Sequence, residues 1–133
     1  MPSLHITTKQ MSAFEAARFD DFRALMVKHL RETVGGPFTH QSDADLLAFI
    51  DAGVAHAKKY GATDNDAFGM FIVMLSEFGD GFDTDKNLPW IGQTLGDKSV
   101  KDANQRIRNL AAMCGFYLSN LDNDQEQTTR GEA

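Results

Sequence analysis

The sequence predicts an all-α fold: a compact bundle of about five helices packed around a central apolar helix near residues 64–78. Three observations carry this. Apolar residues recur at three- and four-residue steps along several stretches, the period of one helix face. Ser, Thr and Asp stand at capping positions before these stretches, and Gly or Pro follows them. Ten Phe and six Met supply an adaptable, aromatic core.

Thr7 and Gln10 have capping-box spacing, which starts a first helix near Thr8. Its apolar stripe is Met11, Phe14, Phe19, Phe22, Met26 and Leu30, and Gly35-Gly36-Pro37 stops it around Val34. Ser42 caps a second helix, with Asp45 placed at its positive end. The apolar stripe of that helix is Leu46, Leu47, Phe49, Ile50, Gly53, Val54, Ala57 and Tyr60, and Gly61 follows Tyr60 as the left-handed terminator. Gly53 within the helix costs ~1 kcal/mol relative to Ala, which close approach of another helix repays. Thr63, with Asp66 three residues on, caps the third helix. Phe68, Phe71, Met74, Leu75 and Phe78 define a broad face there, and Met70, Ile72 and Val73 extend it nearly all round. A helix apolar on most sides packs on more than one side.

Pro89 suits the first position of a short fourth helix anchored by Trp90 and Leu95 and closed by Gly96. Ser99 with Asp102 caps the fifth, whose stripe includes Ile107, Leu110, Ala111, Cys114, Tyr117, Leu118 and Leu121. From Asp122 to Ala133 the chain is polar, which reads as a disordered tail after a single domain spanning 1–121.

The formal net charge of −6 disfavours binding to a phosphate backbone, which needs a basic stripe. No window is long and apolar enough for a membrane span, and the first residues lack the basic and apolar regions of a signal peptide. One cysteine forms no internal disulfide, which fits a reducing compartment. On the apolar stripe, Cys114 reads as a buried and inert thiol.

Few residues suggest chemistry. His5, His29, His40 and His56 lack the spacing of a helical zinc pair. His56 stands four residues before Tyr60, so the two can touch on one helix face. Glu77 is the acid inside the central helix, and an Arg such as Arg106 or Arg108 is its expected partner. Asp83-Thr84-Asp85-Lys86-Asn87 opens like a calcium loop, but Leu88 stands where that loop needs Gly and Thr94 where it needs Glu. Asx side chains there form turns or cap the Pro89 helix instead. No catalytic residue, cofactor or metal is assigned. Phe82 and Trp90 are large aromatics that can tuck into the core and hold the short helix, which core energetics favours. The alternative is that the acidic corner with its aromatics, Asp80, Phe82, Asp83, Asp85 and Trp90, is a partner-binding surface.

Several runs form a pattern: Phe49-Ile50-Asp51-Ala52-Gly53-Val54, Ala57-Lys58-Lys59-Tyr60-Gly61, Phe71-Ile72-Val73-Met74-Leu75, Phe78-Gly79-Asp80-Gly81-Phe82-Asp83 and Leu88-Pro89-Trp90. The pattern resembles small helical proteins encoded in bacterial type VI secretion and PAAR effector gene clusters. Lys86-Asn87-Leu88 departs from the tighter Asp-Pro connection expected in the turn. The resemblance implies a cytosolic, non-enzymatic module that binds a secreted effector, a toxin or a component of the secretion spike. It would act as an adaptor or co-chaperone, or alternatively as an immunity protein. An enzyme using His56, Glu77 and the acidic turn, or a cation switch through Asp83, Asp85 and Asn87, are the competing expectations.

Overall fold

A computed structural model describes residues 18–132, with side chains as far as residue 118. Among the described residues there are five α-helices: α1 (Phe19–His29), α2 (Asp43–Lys59), α3 (Asn65–Phe78), α4 (Pro89–Leu95) and α5 (Ala103–Glu132). Among the described residues there is no strand. The part of the expected first helix that includes Met11 and Phe14 lies outside the described residues.

α3 is central, as its sequence predicts. Every residue from Asp66 to Leu75 is buried, and α3 packs against α2 on one side and α5 on the other. Its neighbours present the faces that periodicity requires: Phe22 and Met26 from α1, Leu46, Ile50 and Val54 from α2, and Ile107, Leu110 and Cys114 from α5. The α2–α3 seam is tight at Gly53. A Cβ there would lie 2.7 Å from Ile72 Cγ1 and 3.3 Å from Leu75 Cδ1. The helix-propensity cost of Gly53 is thus offset by close packing.

The turn after α2 closes as a Schellman motif. Gly61 N–H donates to the Lys58 carbonyl (2.9 Å) and Ala62 N–H to the Ala57 carbonyl (3.2 Å). Gly61 has φ +98°, and a Cβ there would stand 2.9 Å from the Ala103 Cβ at the start of α5. Both its conformation and its neighbour therefore demand glycine.

The caps partly differ from expectation. Ser42 caps α2, its Oγ accepting from Asp45 N–H at 3.1 Å. For α3 the cap is Asp64, whose carboxylate accepts from Ala67 N–H at 2.8 Å. Thr63 binds instead to Asn104 of α5, donating its N–H to Oδ1 and accepting from Nδ2 (2.8 and 2.9 Å). The α5 cap is Asp102, which accepts from Asn104 N–H at 2.9 Å. Ser99 lies earlier, with its N–H and hydroxyl both donating to Asp97 Oδ1. In each case an Asp just ahead of the first helical turn replaces a Ser or Thr further back, because its carboxylate reaches the orphan N–H groups and complements the helix dipole.

Arg108 does not serve Glu77 as its expected partner. Its guanidinium joins α5 to the start of α3, donating through Nε to Asp66 Oδ2 and through a terminal nitrogen to Asp64 Oδ2, both at 2.8 Å. Arg106 Nε donates to the Val100 carbonyl. The backbone of α5 stays helical to Glu132, over residues that the sequence reads as a tail. Polarity withholds packing energy but does not itself break a helix, and no Pro interrupts 122–132.

Candidate functional site

The acidic turn folds inward. His56 and Tyr60, one turn apart on α2, stack with ring centroids 5.9 Å apart, which matches the contact their spacing predicts. Phe71 of α3 stands edge-on to His56 at 5.0 Å and meets Phe82 at 5.3 Å. Phe82 is 2% exposed and Asp83 6%. Asp83 Oδ2 accepts from the Tyr60 hydroxyl and lies 2.9 Å from His56 Nε2. These contacts fasten the Phe82–Thr84 turn to α2 across a wall of aromatic rings.

The electrostatics fit a latch. Burial raises the Asp83 pKa, but hydrogen bonds from Tyr60 and His56 outweigh it and hold the carboxyl below its usual range. Burial, reinforced by the Asp83 hydrogen bond and charge, pushes the Tyr60 hydroxyl well above its usual range. Tyr60 therefore remains a proton donor to a carboxylate. The groups named for the enzyme expectation meet in part, since His56 and Asp83 touch. Asp83 Oδ2 is taken up by both donors, and the contacts join elements of the fold.

As for the calcium-like run, Asp83 points to α2, and Asp85 Oδ1 accepts from Asn87 N–H at 2.8 Å, an Asx turn. Among the described residues, no three His, Cys, Asp or Glu side chains form a metal-binding group.

Of the five residues proposed from sequence to face a partner, Phe82 and Asp83 are buried, Asp80 is exposed, and Asp85 and Trp90 are partly exposed. Phe82 and Asp83 need correction as surface residues, because aromatic packing and the Tyr60–His56 pair draw them inward. Ile91 and Leu95 are the buried anchors of α4. Trp90 turns to the side and meets Tyr117 of α5 at 5.5 Å.

That contact opens a second feature. Trp90, Ala112, Met113, Phe116 and Tyr117 line an open, mostly apolar groove of about 420 Å³ between α4 and α5. Phe116 is 70% exposed and Met113 41%. Thr94 fixes the α4 side: its hydroxyl donates to the Trp90 carbonyl at 2.8 Å and lies 3.4 Å from the Met113 sulfur. The acidic corner borders this groove, since Phe78 before it and Trp90 after it both touch Tyr117, at 6.2 and 5.5 Å. Single exposed apolar residues need no explanation; here Met113 and Phe116 are exposed beside Trp90 and Tyr117.

Cys114 is buried beside the groove's wall, 3.6 Å from the Met74 sulfur, and burial pushes its thiol pKa up to about 12. It is an inert core residue, as its place on the stripe predicts. Among the described residues, no helix is long and apolar enough to cross a membrane. Comparison with protein-family models, curated proteins and solved structures finds no match to the chain.

Proposed function

We propose that the protein is a non-enzymatic protein-binding module whose contact surface is the groove between α4 and α5. The single supporting observation is Phe116, a large aromatic that is 70% exposed beside Trp90, Met113 and Tyr117. Aromatic and Met side chains in a shallow apolar site are the usual anchors of interfaces. The resemblance of the Phe49–Trp90 pattern extends this reading to a bacterial secretion or effector system. There the protein serves in the cytoplasm as an adaptor or co-chaperone for a secreted effector. The net charge of −6 favours a second reading, an immunity protein set against a basic toxin.

The test is affinity capture from native lysate with the wild type and with Phe116→Asp in parallel. The reading expects an effector, toxin or spike component on the wild type and its loss from the variant. Capture of the same proteins by both, or of none by either, refutes it. Deleting the gene separates the roles: loss of effector export marks an adaptor, and death of cells exposed to their siblings marks an immunity protein.

A further inference from the structure

We infer that a second copy of the chain covers the groove when no other partner does, in an antiparallel pair related by a two-fold axis. This goes beyond the proposed function: it needs no foreign protein, and any other occupant has to displace the second copy. Shape is the first argument. Phe116 stands 70% exposed at the groove that it lines together with Trp90, Met113 and Tyr117. A projecting ring and an open cleft thus share one patch. Such a patch is self-complementary about a two-fold axis, the commonest symmetry of soluble oligomers. With the axis between Met113 and Phe116, each Phe116 enters the other copy's groove over its Met113, and sulfur–aromatic contact favours the pairing. Ala112, exposed beside them, is small, so the two α5 helices can approach closely.

Charge fixes the direction. Trp90 meets Tyr117 and Thr94 meets Met113, so α4 runs antiparallel to α5. The acidic turn 79–88 therefore stands at the Tyr117 end of the groove, and the loop from Gly96 into α5 stands at the other. Residues 79–88 hold Asp80, Asp83 and Asp85 against Lys86, a net −2, with Asp80 exposed. Residues 96–106 hold Lys98, Lys101 and Arg106 against Asp97 and Asp102, a net +1, with both lysines exposed. Asp97 is taken up by Ser99, and Asp102 by the first turn of α5. An antiparallel partner brings its lysine end to this copy's acidic end, twice over, whereas a parallel one sets like charges together. The net charge of −6 per copy opposes any pairing at long range, but physiological salt screens it beyond ~8 Å.

Sedimentation of the full chain from about 1 μM to about 1 mM reads the pairing. The inference expects a monomer–dimer equilibrium in that range, weakened about tenfold or more by Phe116→Asp with circular dichroism unchanged. Direction is read by exchanging charge. Asp80→Lys in one variant, and Lys98→Glu with Lys101→Glu in another, each set like charges across the pair and weaken it. All three residues are exposed, so folded variants are available. When the two variants are mixed, native mass spectrometry should find them paired with each other beyond the statistical share, because every end-to-end contact of the mixed pair joins opposite signs. A chain that stays monomeric throughout overturns the inference, and so does a dimer that Phe116→Asp leaves intact. Phe116-dependent dimers with no preference for the mixed pair overturn the antiparallel arrangement. The two readings fail separately: pairing is measured on the purified chain alone, while loss of Phe116-dependent capture from lysate counts against the proposed function.

Discussion

Asp83→Ala removes the carboxylate that fastens the acidic turn to α2. In the wild type it accepts from the Tyr60 hydroxyl and meets His56 Nε2 at 2.9 Å. A hydrogen bond to a charged group contributes ~1.5–3 kcal/mol. His56 and Tyr60 are only partly buried and can turn to water after the loss, which places both contacts at the low end. Removing a buried carboxylate also relieves its desolvation, an effect of opposite sign. The net loss expected is ~2–3 kcal/mol for Asp83→Ala and about half that for Asp83→Asn, which keeps one acceptor oxygen. Urea unfolding at neutral pH, followed by circular dichroism, gives the change as a shift in midpoint at constant slope.

The pH dependence has a definite sign. Hydrogen bonds from Tyr60 and His56 win over burial and depress the folded-state pKa of Asp83. Its stabilisation is therefore present above the unfolded carboxylate value of about 3.9 and is lost as pH falls through the lower folded value. The wild type's advantage over Asp83→Asn should close in that acid range. An Asp83→Ala variant within about 0.5 kcal/mol of the wild type at neutral pH, the range of ordinary surface changes, would refute the latch.

Gly53→Ala gains ~1 kcal/mol of helix propensity but sets a methyl 2.7 Å from Ile72 Cγ1, where overpacking costs ~1–3 kcal/mol. It should destabilise by ~1 kcal/mol in urea unfolding, and a more stable variant would show slack in the α2–α3 seam. Arg108→Ala leaves Asp66, 5% exposed, without its guanidinium. Loss of one partner of a buried pair costs ~3–5 kcal/mol, reduced here to ~2–3 because Arg108 itself is partly exposed; a loss under about 1 kcal/mol contradicts the assignment. Cys114 should resist an aromatic disulfide reagent at mild alkaline pH and react only in urea, since burial keeps its thiol pKa near 12. Rapid labelling of the folded protein would place it at the surface.

The fold was legible where periodicity was strong. The breadth of apolar residues from Phe68 to Leu75 marks a helix packed on two sides, and α3 is buried along that run. Gly53 and Gly61 announce a close approach and a left-handed turn, and both occur. Caps were harder, because Thr63-Asp64 and Ser99 through Asp102 each offer several oxygens; Asn104 takes up Thr63 from across the fold, and Asp97 takes up Ser99 locally.

The acidic corner misled for a physical reason. Asp83 carries charge, which in sequence suggests solvent, yet Tyr60 and His56, more than twenty residues earlier, supply two donors that draw it inward. The groove was hidden for a different reason. Met113 and Phe116 fall off the Leu110–Cys114–Tyr117 stripe of α5, so they have no place in the core. Large apolar residues on the outer face of an amphipathic helix were the signal that the sequence did offer.

The most direct test of the protein-binding account is the affinity of a captured, purified partner for the wild type and for Phe116→Asp, measured by titration calorimetry. A hot-spot aromatic in a groove loses about 2 kcal/mol or more on such a change, roughly thirtyfold in Kd, with folding unaltered. That loss is the result expected. Dissociation constants equal within about twofold would place the contact elsewhere and contradict the assignment of the groove.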